Sequence, residues 1–473
     1  MTSRYFLTSL AEALLRERFA SPATVQRVQQ RRLKKLLQHA GQHSVFNARR
    51  IRPGASPLDQ LRQIRPVDVR EMMDNFPDTV CGAQITLAEA RAAAQSEPGK
   101  VARVRDRWMV SQTSGTTGEP GYFLNDHRSV DIQRAVVFAR TFRDRLAWRH
   151  VRRFIRRRYR MAFVVTRLSG CISTQTCLLG KQQSGRMAEI RLFPSEDPIA
   201  EIVRGLNEYQ PDYVHGYASM LELLAYQADD GALKIRPEFI SSGSEGFSKA
   251  GRAAVERVFA PAVVTSQYGS TECSVLGNEC RAGQMHVNSD YVILEGVDEN
   301  DQLVPPGVKS HQTLLTNLVN LFQPVIRFRL TDSISWQTTP CSCGSPLPTI
   351  QLEGRSDEML WLERGPTDYV SCSPPSLQAQ MYPVPGIRQW QLIQTERNHL
   401  RIRFVKSPGT DGGAIAADIR ESFRKFLDQE QLAALVQVTP EEVDVIPRTP
   451  RGQKLKQIIS EVGAPPRKLR SGQ

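Results

Sequence analysis

Ser111-Gln-Thr-Ser-Gly-Thr-Thr-Gly-Glu-Pro-Gly121 crowds hydroxyls and glycines into one short segment. Gly115, Gly118 and Gly121 let the backbone curve closely around a ligand. Thr113, Ser114, Thr116 and Thr117 add hydroxyl donors. A loop of this kind can hold phosphate oxygens through backbone N–H groups and hydroxyls. It lacks the Gly-Lys-Ser/Thr ending of a Walker A loop. A flexible Ser/Thr/Gly surface loop has the same composition. The sequence on either side must decide between the two.

Downstream, short β-rich runs alternate with helical stretches. MAFVVT (161–166), DYVHGY (212–217), EFISSG (238–243) and PAVVTSQYG (261–269) are the strand-like runs. Helical patterns follow the second and third, the latter from Lys249. This alternation predicts an α/β domain with parallel strands. Upstream, residues 1–45 read as helix, with Leu10, Leu14, Leu15, Leu33, Leu36 and Leu37 at three- and four-residue spacing between charged faces. Pro53–Pro57 reads as a loop, and Asp68 as the cap of a further helix.

The last part of the chain changes character. Leu400, Ile402 and Phe404 alternate with Arg401 and Arg403, which predicts a strand. A helix with Ile415, Ile419, Phe423, Phe426 and Leu427 on one face follows, then strand-like VQV (436–438) and VDVI (443–446). The fold class is therefore α/β. A large N-terminal domain with mixed or parallel sheets covers 1–354, with 1–100 mostly helical. A small α+β domain covers 355–473.

With 473 residues the chain has ample length for a core, and 40% hydrophobic against 23% charged residues excludes disorder, collagen and coiled coil. No apolar run approaches the roughly 20 residues that span a bilayer. The N-terminal stretch shows no h-region and no small-residue cleavage site, so a reducing cytoplasm is expected. The net charge of +13 favours anionic partners without naming one. Ten of the residues from 140 to 160 are arginine. They could steer a phosphate-bearing or acidic partner, or form a solvated basic helix. No nucleic-acid-binding motif accompanies them, so no nucleic acid is expected to bind.

Cys280-x5-His286 and Cys341-Ser-Cys343-Gly344 offer three thiolates and one imidazole, enough for a closed tetrahedral zinc site. Spacing alone is weak evidence, because buried free cysteines are common. Cys81, Cys171, Cys177, Cys273 and Cys372 show no such pattern and are expected to pack.

Four motifs in order carry a resemblance. Thr113–Gly121 resembles the phosphate loop of the adenylate-forming superfamily, usually [ST]SGTTGxP. Tyr268-Gly269-Ser270-Thr271-Glu272 is similar to that family's aromatic-Gly-x-Thr-Glu motif. Pro324-Val-Ile-Arg327-Phe-Arg329-Leu-Thr-Asp332 resembles its basic segment ending in Asp, and Gly354-Arg355-Ser356-Asp357 its hinge. PVIRFRLTD and the segment from Gln30 to Phe76 are similar to the phenylacetate–CoA ligase-like branch, with its coenzyme F390 synthetase and capsular-polysaccharide relatives.

The resemblance implies ATP and Mg2+ as co-substrates. It implies contacts to the nucleotide from Thr113, Ser114, Gly115, Thr116, Thr117 and Gly118, and from Ser242, Gly243, Ser244 and Glu245. Tyr268 and Gly269 would lie against adenine, with Asp332 and Arg355 at the ribose. Thr271 would reach the α-phosphate, and Glu272 would hold Mg2+. The branch often shows a similar Cys…His…Cys-x-Cys pattern, which implies structural zinc on Cys280, His286, Cys341 and Cys343. In Ile446-Pro-Arg-Thr-Pro-Arg-Gly-Gln-Lys454-Leu-Lys456, Gln453 stands where the family has lysine. Lys454 takes the catalytic role in this reading, and Lys456 is the reserve.

The activity implied is ATP-dependent activation of a small carboxylic acid, aryl or arylalkyl by the branch, to an acyl-adenylate with release of pyrophosphate. Transfer to coenzyme A or to the phosphopantetheine of an acyl carrier protein would follow, after rotation of the small domain. Two rivals stand beside it. One is the same adenylation with an amine acceptor. The other is a non-catalytic nucleotide-binding or interaction protein, motivated by Gln453 and by Glu119 in a loop meant for phosphates.

Overall fold

The computed structural model describes residues 3–113, 120–142, 158–185, 188–247, 249–355, 360–365, 368–372, 374–381, 383–448 and 455–462. The chain divides into two compact units. The larger holds Met1–Leu330 and Ile334–Gln351; the smaller is built mainly from Leu352–Pro450.

A nine-stranded sheet organises the larger unit. One half is parallel, in the spatial order Ala188–Pro194, Tyr159–Val165, Tyr213–Gly216, Phe239–Ser242, Val263–Tyr268. These strands occupy the four expected runs, plus one the sequence pattern did not single out. Apolar residues face both sides, as parallel strands covered by helices require. Val164, Val165, Val214, Phe239 and Ile240 are all almost fully buried. Helices Ile172–Gln183, Ile199–Tyr209, Ala218–Asp229 and Lys249–Val258 make the crossovers. The strand order reverses between Tyr159–Val165 and Tyr213–Gly216. A doubly wound sheet opens its ligand crevice at the carboxyl ends beside such a reversal. Beyond Tyr268 the sheet turns antiparallel through Gly277–Glu279, Met285–Val287, Thr349–Arg355 and Asp332–Trp336.

The N-terminal segment is a set of short, individually capped helices. Ser3, Ser21, Ser44, Ser56, Asp68 and Thr86 each accept a backbone N–H at a helix start. The expected single helix over 1–45 is two, Arg4–Phe19 and Pro22–His43, because Ser21 caps and Pro22 opens the second. Leu33, Leu36 and Leu37 are buried against Leu61, Ile64 and Ile326. The first helix departs from its leucine pattern. Leu14 and Leu15 are 45% and 59% exposed, while Ser9, Ala13 and Glu17 face inward.

The reason is an ion cluster. Arg140 pairs with Glu17 and, at 3.1 Å, with Asp290, and all three side chains are at most 6% exposed. Arg16 reaches the same Asp290 at 2.7 Å. Ser345 donates to Glu17 at 2.8 Å. Removing one member of a buried cluster leaves the others charged without compensation.

The smaller unit carries a four-stranded sheet in the order Gln437–Glu442, His399–Lys406, Ile387–Glu396, Ile458–Ser460. Leu400, Ile402 and Phe404 pack on Ile415, Ile419, Phe423 and Leu427 of helix Gly412–Gln429. The strand expected at 443–446 is absent: Val443 lies past the strand end and Val445 is 75% exposed. The fourth strand is Ile458–Ser460, parallel to Leu392–Gln394, with Ile458 supplying the apolar contact.

Arg140→Met is expected to lower unfolding stability by about 3–5 kcal/mol, since Glu17 stays buried without its cation and Asp290 keeps only Arg16 among the described residues. Urea unfolding checks this; a loss below about 1 kcal/mol would show that water or local rearrangement relieves the pair.

Candidate active site

Adjacent parallel strands bring the expected segments together. Gly216 pairs with Ser242, and Ser242 with Ser266, so the first two strands end level and the third runs two residues farther, to Tyr268. Tyr217, Gly243–Glu245 and Gly269–Glu272 leave from these carboxyl ends. Gly243 N–H donates to Gly216 O at 3.1 Å, and Ser242 Oγ donates to Ser266 Oγ at 3.1 Å. A Cβ on Gly243 would lie 2.9 Å from the His215 ring, so this turn tolerates no side chain. Ser244 sits at φ 67°, in the left-handed region. Glu245 accepts the Ser219 N–H at 3.0 Å, at the start of helix Ala218–Asp229.

The following loop is equally constrained. Gly269 could not carry a Cβ, which would meet Ser274 O at 2.9 Å. Ser270 and Cys273 exchange backbone hydrogen bonds at 2.9 and 3.2 Å. Ser274 donates through N–H and Oγ to Gln133 Oε1, at 2.9 and 3.0 Å. This pins the Thr271-Glu272 turn to helix His127–Phe142. Tyr268 and Glu272 are both 7% exposed. Tyr268 packs into the apolar core of the unit, so at most an edge is open to a ligand.

Thr113 and Gly121 close the base of the glycine-rich loop. Gly121 N–H donates to Thr113 Oγ1 at 2.8 Å, and Thr113 N–H to Gly121 O at 2.9 Å. Ser114, Gly115, Thr116, Thr117 and Gly118 lie outside the described residues, as do Asp357, Lys454 and the side chain of Arg355. Most of the arginine-rich run, 143–157, does too. Asp332 opens the strand Asp332–Trp336 and is partly exposed.

Two titratable groups near the crevice went unnoticed in the sequence. Burial pushes His215 down to about 4, so its ring is neutral at pH 7. Burial, with some repulsion from Glu245, lifts Glu222 from its ordinary 4.5 to about 7, against a hydrogen bond donated by Tyr226 at 2.8 Å. Both sit inside apolar runs, where a lone polar letter gives little signal. Tyr217, 1% exposed, accepts the Thr166 N–H at 3.2 Å, across the strand-order reversal.

Cys280, His286, Cys341 and Cys343 converge, their donor atoms all within 4.8 Å of one another. Cys280 Sγ lies 3.6 Å from Cys341 Sγ, and Cys343 Sγ 3.3 Å from His286 Nε2. Tetrahedral zinc at about 2.3 Å from sulfur puts donors about 3.8 Å apart, so the cluster matches that size. Ala282 and Ser345 donate backbone N–H groups to Cys280 and Cys343 sulfur, at 3.3 and 3.4 Å. His286 Nδ1 is 2.8 Å from Leu347 O, which leaves Nε2 as the ligand nitrogen. Donor set and orienting bonds both fit zinc. The remaining cysteines lie apart from this cluster, most of them buried.

Glu222 gives a pH test. The folded chain holds a proton on it that the unfolded chain releases above about 4.5. Stability from this group therefore falls as pH rises from 4.5 through 7. Glu222→Gln should flatten that fall, leaving the variant more stable than the parent at pH 8 and similar at pH 4.5. Denaturant midpoints at the two pH values decide; parallel pH curves would contradict the burial argument.

No family model matches the chain, and no curated protein matches it in sequence. Solved structures do. The chain superposes on 2-hydroxyisobutyryl-CoA ligase in its postadenylation state with 2-HIB-AMP at TM-score 0.67 and 20% identity, covering 95% of this chain and 92% of that one. The same ligase with 2-HIB-AMP and CoA in the thioesterification state gives 0.56 at 19% identity, covering 94% and 91%. Anthranilate CoA ligase with anthranoyl-AMP gives 0.52 at 15% identity, over 75% and 66%. Among the described residues no helix is long and apolar enough to cross a membrane. The chain has the fold of the adenylate-forming ligases.

Proposed function

We propose that the protein activates a carboxylic acid with ATP and passes the acyl group to a thiol, that of coenzyme A or of a carrier-bound phosphopantetheine. The observation that carries this reading is the register of three adjacent parallel strands, which puts Gly216, Ser242 and Ser266 side by side, so that Ser242–Glu245 and Tyr268–Glu272 leave the same edge of the sheet. The bound acyl-AMP and CoA of the similar structures support it by fold. The cysteines, with no disulfide among the described residues, suit a reducing cytoplasm.

In the first step a carboxylate oxygen of the acid attacks the α-phosphorus of ATP. The bond to the β-phosphate bridge breaks, and pyrophosphate leaves with its electron pair. Thr271 hydrogen-bonds the α-phosphate, and the Thr113–Gly121 loop holds the departing phosphates. Glu272 would hold Mg2+, which neutralises phosphate charge when bound. Lys454 supplies the cation between carboxylate and α-phosphate as charge develops. In the second step the thiolate sulfur attacks the acyl carbonyl carbon, and AMP leaves.

Pyrophosphate release from Mg·ATP and an acid should fall about 100-fold or more in Lys454→Ala, with nucleotide binding retained. Equal turnover in the variant would remove Lys454 from the mechanism, and Lys456→Ala would then be the comparison. The cysteine–histidine cluster is proposed to hold one structural zinc. Metal analysis should find about one equivalent in the parent and none in Cys341→Ser with His286→Ala, with a lowered melting temperature. Parent protein purified without chelator and free of zinc would contradict that site.

A further inference from the structure

Gln133, on helix His127–Phe142, is 5% exposed and joins two parts of the chain that lie far apart in sequence. Its Oε1 accepts the Ser274 N–H at 2.9 Å and the Ser274 hydroxyl at 3.0 Å. Its Nε2 donates to Asn125 Oδ1 at 3.0 Å, and Asn125 is itself buried. A backbone N–H can only donate, so Ser274 fixes which way the Gln133 amide points. That orientation in turn requires the Asn125 oxygen to face it. Ser129 Oγ donates to the same oxygen at 3.3 Å. An apolar side chain at 133 would satisfy neither end, and a carboxylate would lose the donor to Asn125.

Asn125 ends the strand Tyr122–Asn125, which pairs with Trp108–Gln112, Met109 opposite Asn125 and Gln112 opposite Tyr122. The two strands of this hairpin lead into and out of the glycine-rich segment. The second strand is anchored too: Gln175 Nε2 donates to Val110 O at 3.0 Å, and Gln112 N–H to Gly170 O at 2.7 Å. On the other side of Gln133, Ser274 follows the turn closed by Ser270 and Cys273, which contains Thr271 and Glu272. Asn125, Gln133, Thr271 and Ser274 line one gap of about 20 Å3, room for a single water, so hairpin and turn approach closely here.

The proposed reaction gives this link a consequence. Thr271 would meet the α-phosphate and Glu272 Mg2+, while the glycine-rich segment would hold the departing phosphates. Attack and departure lie in line at one phosphorus, so turn and hairpin must keep a fixed offset. A misplacement of about 1 Å can cost about 100-fold in rate. We infer that Gln133 is a positioning residue, whose amide sets the Thr271–Glu272 turn against the hairpin that carries the glycine-rich segment. The role in catalysis rests on the adenylation reading; the link itself does not.

Three variants test it. Gln133→Met keeps the length and removes both hydrogen-bonding ends. Asn125→Leu cuts the hairpin side alone. Ser274→Ala removes one of the two bonds on the turn side and is the fallback should Gln133→Met fail to fold. Pyrophosphate release is measured with Mg·ATP and whichever acid of an aryl, arylalkyl and fatty-acid panel the parent uses best. In Gln133→Met kcat should fall about 30- to 100-fold, and in Asn125→Leu at least about tenfold. KM for ATP should stay within about threefold of the parent's, because the link acts on geometry and not on uniform binding. Ser274→Ala should lose about three- to tenfold in kcat at unchanged KM. Amide hydrogen exchange, read without substrate, should speed at least about tenfold across Ser270–Ser274 in Gln133→Met and hold at the parent's rate in Phe239–Ser242. Parental kcat in the folded variants, or a loss carried by KM, would overturn the assignment and leave adenylation in place. Unchanged exchange across the turn would show that Gln133 does not hold it and would overturn the assignment as well. A parent that releases no pyrophosphate with any acid, while exchange still speeds in Gln133→Met, removes the adenylation reading and reduces the link to a structural one.

Discussion

The parallel hydrogen-bond ladder from Tyr159–Val165 to Val263–Tyr268 is the constraint on which the rest of the site depends. Register in such a ladder is fixed by burial on both faces, since a one-residue slip would exchange every side chain between them. Here it sets Gly216, Ser242 and Ser266 side by side. The loops beyond these strand ends cannot avoid one another. Gly243 and Gly269 are the consequence: where the chain leaves neighbouring strand ends, a Cβ would strike His215 or Ser274. The crevice is therefore made by backbone geometry first, and its side chains are hung on that frame.

Buried polar groups hold the frame in place. Glu17, Arg140 and Asp290 tie the first helix to the body of the larger unit, and Ser345 extends the same hydrogen bonding to the loop that carries Cys343. The proposed zinc would cross-link that loop to Cys280 and His286. The N-terminal helix and the metal loop are thus one polar assembly. It lies outside the crevice loops, which fits a structural metal with a closed ligand set.

Much of this is legible in the sequence. Four of the five strands in the parallel half announce themselves through apolar runs, Ala188–Pro194 does not, and the alternation of Leu400, Ile402 and Phe404 marks its strand without help. The cysteine–histidine set is visible as composition, though only the fold shows that the antiparallel end of the sheet folds it together. Other features are hidden because one-dimensional pattern reports polarity, not partnership. Glu17 looks like a solvated charge, yet it is buried because Arg140, far along the chain, requires it. Gln133 and Gln175 read as neutral helix residues, yet Gln133 accepts from Ser274 and Gln175 donates to Val110 O. Ile458–Ser460 escapes notice because three residues carry too little periodicity, and VDVI, with the better pattern, leaves the ladder after Val443 donates to Phe404 O.

The most direct measurement of the proposed chemistry is acid-dependent exchange of labelled pyrophosphate into ATP. Exchange requires only the first step to be reversible, so it is independent of the acyl acceptor. It should depend on both Mg2+ and a carboxylic acid, and it should be lost in Glu272→Gln. Nucleotide bound at the crevice, with no exchange for any acid across a broad panel, would contradict adenylation and leave a nucleotide-binding protein on a ligase fold.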